Sequence, residues 1–382
     1  MKILYVIENR TAFKNTKNIG GYLSHVVGVV EAFHRLGHEV CIAAYDDIPY
    51  LDKEKFRYMY LQNGKPIRIP FLQALSIQSK FIQEVIRTIK EYNPDLLYLR
   101  WTGNLFISKI RKDFPELPIA VECNGVREMS SNGGNFINKM YMRSYDKQYV
   151  KNATVISAIT NDVRNYLLDR HPRLTEDRII TNPNGVDVQK FRYIKSDIRR
   201  KIKIYPDIPV IGFAGVFMPW HKVEIIIQAV QQLSTDVRLL LVGEGKGEYA
   251  SYLKTLAQEQ KSERIIFTGA VPHTDIPQWL STCDILVVPQ AKERPLGSSI
   301  KLFEYMATGR AVAAANVGQL PEIIKNGENG LIFEPDPDDL KRVLNRLIED
   351  KPLREKLGKK AREDVEANYT WEANVTRILN AL

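Results

Sequence analysis

Strand-length apolar runs alternate with helix-length amphipathic stretches along this chain, and the alternation starts over near its middle. In the first half, Ile3–Ile7 reads as a buried strand, Gly20–Arg35 as a helix, and Glu39–Ala44 as the next strand after a stop at Gly37. Leu96–Leu99, Ile119–Cys123 and Thr154–Ala158 are further strands, each followed by a helical pattern. The scheme restarts with Val210–Gly215, a helix from Val223, Val237–Val242, a helix over 247–260, Arg264–Phe267, Ile285–Val288, a helix over 300–308 and Ala311–Ala314. Strands separated by helices of this length become parallel neighbours through right-handed crossovers, so each half predicts a doubly wound α/β sheet. The length of 382 residues exceeds the roughly 250–300 at which single cores stop growing. The turn-rich run Asn182–Asp187 and the basic, proline-punctuated stretch 195–209 separate the halves. The expected division is 1–190 and 205–368, with a last helix in 369–382 that packs back on the first domain.

Composition narrows the class. Hydrophobic content of 44% and charged content of 26% are those of a globular protein. No apolar run approaches the roughly 18 residues of a membrane span, and charge at Glu8 and Arg10 comes too early for a signal-peptide core. Cys41, Cys123 and Cys283 lie far apart in strand-like runs, which fits three buried thiols in a reducing cytoplasm better than a metal site. The net charge of +9 is uneven: residues 1–195 hold 29 Lys and Arg against 20 Asp and Glu, leaving 25 of each beyond. A basic first half fits an anionic lipid surface or a phosphorylated acceptor, and equally a solvated surface with no partner. No nucleic-acid-binding module is recognisable.

Ligands of such sheets bind where strands end, so the loops there carry the candidates. Gly297-Ser298-Ser299 opens a helix bearing Lys301 and, one turn on, Glu304. Small residues let backbone N–H groups approach an anion, and Glu304 on the same face as Lys301 can accept from paired hydroxyls, as in a nucleotide's phosphate and ribose. A capped core helix would carry the same pattern. Gly20-Gly21 also suits close backbone approach to phosphate or sugar, or a simple turn. After Gly215, His221 and Lys222 stand at a helix start, where positive charge opposes the dipole unless an anion sits there. His273 reads as a turn residue. In the first half, Arg100, Glu122 and Asn124 close apolar strands and must be either mutually bonded or facing a ligand. The segment Phe136–Val150 reads as an amphipathic helix covering the sheet.

Assembled in order, these runs resemble the retaining, nucleotide-sugar-dependent glycosyltransferases of family GT4. The resemblance runs nearly end to end through Gly20-Gly21, Asn184-Gly185-Val186-Asp187 with Phe191, Val242–Gly245, Phe267-Thr268-Gly269 and Lys301–Ala307. It implies the GT-B fold, two facing Rossmann-like doubly wound domains with a C-terminal crossover helix. It implies hexosyl transfer with retained anomeric configuration from a nucleotide-sugar donor, a UDP-sugar ahead of a GDP-sugar, to a glycan or lipid-linked acceptor, as in cell-surface polysaccharide or glycolipid synthesis. No permanent cofactor and no metal are implied, and the setting is cytoplasmic or peripheral on the inner face of an anionic membrane. By position, Glu304 resembles the ribose-binding glutamate, the backbone of Ser298, Ser299 and Ile300 the loop cradling phosphate and sugar, Val271 the contact to the base, and Gly20 and Gly21 the glycines closing over the diphosphate.

The departures are specific. The first glutamate of the family's Glu-x7-Glu pattern is Leu296, the arginine after the first C-terminal strand is Val216, the following lysine is His221, its glycine is Lys222, and the N-terminal domain's histidine is Asn124. Pro219-Trp220-His221, Lys301–Tyr305 and Glu122-x-Asn124 resemble a subgroup sharing these departures. Lys222 and Lys301, with Arg294, are the cations left to neutralise a leaving diphosphate, and Asn124, Lys301 and Glu304 are the expected catalytic set. A scaffold that binds nucleotide sugars without turnover, or an epimerase on the same fold, are the alternatives.

Overall fold

A computed structural model describes residues 1–7, 21–62, 70–100, 107–125, 146–292 and 297–382, with side chains described from residue 79 onward in the helix that starts at Pro70. The chain divides into two compact units, Met1–Pro183 with Trp371–Leu382, and Asn184–Thr370.

The N-terminal unit runs β1 (Lys2–Val6), α1 (Gly21–Arg35), β2 (Glu39–Ala44), β3 (Arg57–Tyr60), α2 (Pro70–Tyr92), β4 (Leu96–Arg100), α3 (Ile107–Asp113), β5 (Ile119–Cys123), β6 (Val155–Ala158), α4 (Asn161–Arg170) and β7 (Ile179–Thr181). Its seven strands are all parallel, in the order β3-β2-β1-β4-β5-β6-β7. From β1 the chain winds one way and from β4 the other, so the crevice beyond the ends of β1 and β4 is the topological switch point.

The C-terminal unit comprises α5 (Ile198–Lys201), β8 (Val210–Ala214), α6 (Val223–Gln232), β9 (Arg238–Val242), α7 (Glu248–Glu259), β10 (Ile265–Gly269), α8 (Ile276–Thr282), β11 (Ile285–Val288), α9 (Ile300–Ala307), β12 (Ala311–Ala315), α10 (Leu320–Ile323), β13 (Leu331–Phe333), α11 (Pro337–Glu349) and α12 (Lys351–Asn368). Its parallel sheet has the order β10-β9-β8-β11-β12-β13, which puts the switch point between β8 and β11. Central strands such as Val210–Ala214 and Ala311–Ala315 are buried along their whole length, because helices cover both faces. The expected fold class, two doubly wound Rossmann-like sheets, is the observed one.

The short strands β3, β7 and β13 were not legible in the sequence. Each is three or four residues long, and β3 and β7 sit at sheet edges with little buried surface. The last helix, α13 (Trp371–Asn380), returns to the N-terminal unit. It docks on α1 where Gly28 makes room: a Cβ there would lie 2.3 Å from the Trp371 ring. Arg35 pairs with Glu372, and Asn374 Nδ2 donates to the Pro183 carbonyl at 2.6 Å. Among the described residues no helix is long and apolar enough to cross a membrane. Most of the stretch 136–150, read as an amphipathic helix, lies outside the described residues.

Candidate active site

Gly215 follows β8 at φ +148°, a conformation that side chains rarely adopt. A Cβ on Gly215 would stand 3.4 Å from Lys301 Nζ, so the lysine lies directly against this glycine. The next loop crosses just as closely. A Cβ on Gly243 would fall 2.2 Å from the Gly215 carbonyl oxygen, and one on Gly245 would fall 2.7 Å from that of Phe217. The Val-Gly-Glu-Gly run therefore serves backbone packing: Gly215 N–H donates to Val242 O at 2.9 Å and Phe217 N–H to Glu244 O at 3.0 Å.

Lys301, in the first turn of α9, carries the central observation. Among the described residues its buried Nζ has no hydrogen-bond partner, and it sits 4.4 Å from the centre of the Phe213 ring. Burial is the dominant influence and brings the amine down to about 7, with Glu304 pulling weakly the other way. An unpaired buried ammonium is costly, and a helix start adjoining it is an anion-binding environment. Ser299 holds the cap position of α9 without a side-chain bond, whereas Asp336 caps α11 through two amides. Tyr305 fixes the helix to the strand end, its hydroxyl accepting from Ala214 N at 2.6 Å.

The other candidates fall into place around this centre. His221, in a 3₁₀ turn (Pro219–His221), donates Nδ1–H to Val216 O at 2.7 Å and lies 6.0 Å from the Phe213 ring. Burial, then the Lys301 charge, lowers it to about 4, against the pull of the Val216 carbonyl. At neutral pH it is an uncharged imidazole with Nε2 as an acceptor, and it supplies no cation. Lys222 adopts the left-handed conformation (φ 48°, ψ 42°) and its Nζ lies 3.8 Å from Glu224. That backbone is the one a glycine favours, so the glycine-to-lysine departure keeps the chain path, and the structure pairs the side chain with Glu224. Val216, at the arginine position, is 41% exposed.

Glu304 lies 3.6 Å from His273 Nε2, so the turn residue after β10 is also a neighbour of this carboxylate. His273 in turn packs edge-on against Phe191, with ring centres 5.6 Å apart. Ser298 is held by Asn184, whose N–H donates to Ser298 Oγ at 3.1 Å and whose Nδ2 donates to Ser298 O at 2.8 Å. The Asn-Gly-Val-Asp run thus anchors the loop entering α9. Ser299 and Ile300 are partly buried beside it, and Val271 packs partly buried on the loop after β10. Arg294 and Leu296 lie outside the described residues.

In the N-terminal unit, Gly21 begins α1 and Gly20 lies outside the described residues. Arg100, Glu122 and Asn124 come together. Glu122 is buried and its Oε1 takes the Tyr98 hydroxyl at 2.6 Å and faces His25 Nε2 at 2.6 Å, while Tyr5 donates to Oε2 at 3.4 Å. Burial works to raise this carboxyl, but His25, its hydrogen bonds and Arg100 outweigh burial and hold it below the usual range. Burial and then Glu122 push the hydroxyls of Tyr5 and Tyr98 well above theirs. Glu122 is thus an internal group, occupied by neighbours. Asn124, with its amide oxygen turned toward Arg100, accepts from Arg100 Nη2 at 2.8 Å and Nε at 3.1 Å. His25 escaped the sequence reading, although a lone histidine on the apolar face of α1 was a signal.

Residues 19–190 match the family described as Glycosyltransferase Family 4, and residues 194–364 match Glycosyl transferases group 1. The chain is a glycosyltransferase of this type. An uncharacterized glycosyltransferase of Methanocaldococcus jannaschii is 25% identical over 377 residues, covering 95% of this chain and 94% of that one. A second from the same organism is 28% identical over 251 residues, 65% of this chain and 63% of its own length. The GDP-mannose-dependent monoacylated alpha-(1-6)-phosphatidylinositol monomannoside mannosyltransferase of Corynebacterium glutamicum is 30% identical over 212 residues, 52% of this chain and 55% of that one. Among solved structures, Anabaena HepE in complex with UDP superposes with a TM-score of 0.80 at 19% identity, covering all of both chains. This glycosyltransferase shares that fold.

Proposed function

We propose that this glycosyltransferase moves a sugar from a nucleoside-diphosphate donor, a UDP-sugar, to a hydroxyl of a glycan or lipid-linked acceptor, with the anomeric configuration retained. The observation that carries the reading is Lys301 Nζ: buried, without a hydrogen-bond partner among the described residues, at the start of a helix that Ser299 does not cap by its side chain, at the switch point of the sheet. A diphosphate supplies the missing counter-charge, and its charge keeps the amine protonated. Glu304, one turn further along α9, accepts from the ribose hydroxyls, and the Ser298–Ile300 backbone meets the distal phosphate. Among the described residues, electrostatic stabilisation of the departing diphosphate then rests on Lys301 with Lys222, because His221 is neutral and Val216 is apolar. With Glu122 occupied, the acceptor proton passes to a diphosphate oxygen as the hydroxyl attacks from the leaving group's side. HepE was solved with UDP, which supports the donor class.

The test is turnover of a panel of UDP-, GDP- and ADP-sugars by the purified protein, with product anomers read by NMR. Lys301→Ala is expected to lower donor turnover at least about tenfold. Nucleotide binding with no transfer to any acceptor would mark the protein as a scaffold, and inverted product would refute the retaining step.

A further inference from the structure

In the N-terminal unit, Arg100 keeps a buried donor that no described residue satisfies. Arg100 ends β4, at the switch point between β1 and β4, which is the position of Lys301's site in the other sheet. Its guanidinium lies 4.3 Å from the centre of the Tyr22 ring and gives Nε and Nη2 to the Asn124 amide oxygen. Glu122 is its ion-pair partner at 4.0 Å, too far for a hydrogen bond, because that carboxylate is also taken by Tyr98, His25 and Tyr5. Nη1 is left buried with no hydrogen-bond partner among the described residues. An arginine whose fork is half used and whose last donors are buried is poorly satisfied without a ligand. The group that suits a planar fork best is a phosphate or carboxylate. The surplus of 9 basic residues in 1–195 favours an anion there as well.

We infer that Arg100 is the anchor of an oxyanion subsite on the acceptor side, so that the acceptor of this glycosyltransferase carries a phosphate or a carboxylate. The inference rests on the proposed function for the word acceptor, and on Arg100, Asn124 and Glu122 for the oxyanion. Asn124 is the positioning residue: its oxygen holds the fork, which turns its own Nδ2 donors away from Arg100 and makes it a donor to ligand oxygen, not a base.

The experiment uses the full chain saturated with UDP, labelled in its arginine side chains, and titrated with methyl phosphate or acetate at fixed ionic strength. The Arg100 Nε–H resonance, assigned by its loss in Arg100→Lys, should shift saturably. Arg100→Gln, which lacks that resonance, should bind the same anion at least tenfold more weakly by isothermal titration. Asn124→Asp, which places a carboxylate in the fork, should abolish the response even if Arg100→Gln fails to fold. Tighter binding of methyl phosphate points to a phosphorylated acceptor, and tighter binding of acetate to a sugar acid; either supports the subsite. A resonance that stays still with both anions, or an Asn124→Asp protein that responds like wild type, overturns it. Absence of UDP binding at the outset would instead count against the proposed donor site, so the two failures are distinguishable.

Discussion

Replacing Lys301 with methionine should make the ligand-free protein more stable and the enzyme worse. Lowering a lysine from 10.5 to about 7 corresponds to roughly 5 kcal/mol against its charged form, which is an upper bound on the destabilisation. Apolar replacement of poorly compensated buried charge typically gains about 1–4 kcal/mol, and a thioether against the Phe213 ring suits this position. For a unit of this size each kcal/mol raises Tm by about 2–4 °C. The gain has a defined pH dependence. Below pH 7 the lysine is charged in both folded and unfolded chains, and the whole penalty applies. Between pH 7 and 10.5 the folded chain holds the neutral amine while the unfolded chain stays charged, so the penalty shrinks by about 1.4 kcal/mol per pH unit. Urea denaturation of Lys301→Met and wild type at pH 6 and pH 9 should therefore show a gap that is narrower at pH 9, by up to about 2.7 kcal/mol. Isothermal titration should show UDP affinity lowered at least about tenfold in the variant. A Lys301→Met protein less stable than wild type at pH 6, or one that binds UDP equally well, would refute the reasoning.

Other substitutions test neighbouring parts of the argument. Glu304→Gln should weaken UDP binding several-fold while leaving 2′,3′-dideoxy-UDP binding unchanged; an equal loss for both ligands would take Glu304 off the ribose. Gly243→Ala puts a methyl 2.2 Å from the Gly215 carbonyl and should cost about 2–4 kcal/mol, read as a lower urea midpoint; a neutral result would mean that the two loops part easily. Trp371→Ala empties the seat beside Gly28 and should destabilise the N-terminal unit by about 3–5 kcal/mol, and hydrogen exchange of α1 should rise; unaltered protection there would mean that α13 contributes little to the packing.

Periodicity and spacing determined most of the plan. Apolar runs of strand length separated by helices specify parallel sheets through steric handedness alone, and three-residue spacing put Lys301 and Glu304 on one helix face before any coordinates. The ends of strands also flagged Arg100, Glu122, Asn124 and Gly215, because polar or small residues closing apolar strands are out of keeping with a buried sheet. What the sequence could not show is which distant groups meet. Glu122 is closed off by His25, 97 positions away, Ser298 is held by Asn184 across 114, and Glu304 meets His273. Lys222 lies 3.8 Å from Glu224 two residues on, a neighbour whose distance spacing alone does not give. The burial that leaves Lys301 unpartnered is likewise tertiary: it depends on Phe213 and Gly215 arriving from another strand. Local pattern sets where side chains emerge along the chain, but desolvation and partner choice are sums over everything packed around a group, and only the folded arrangement supplies those sums.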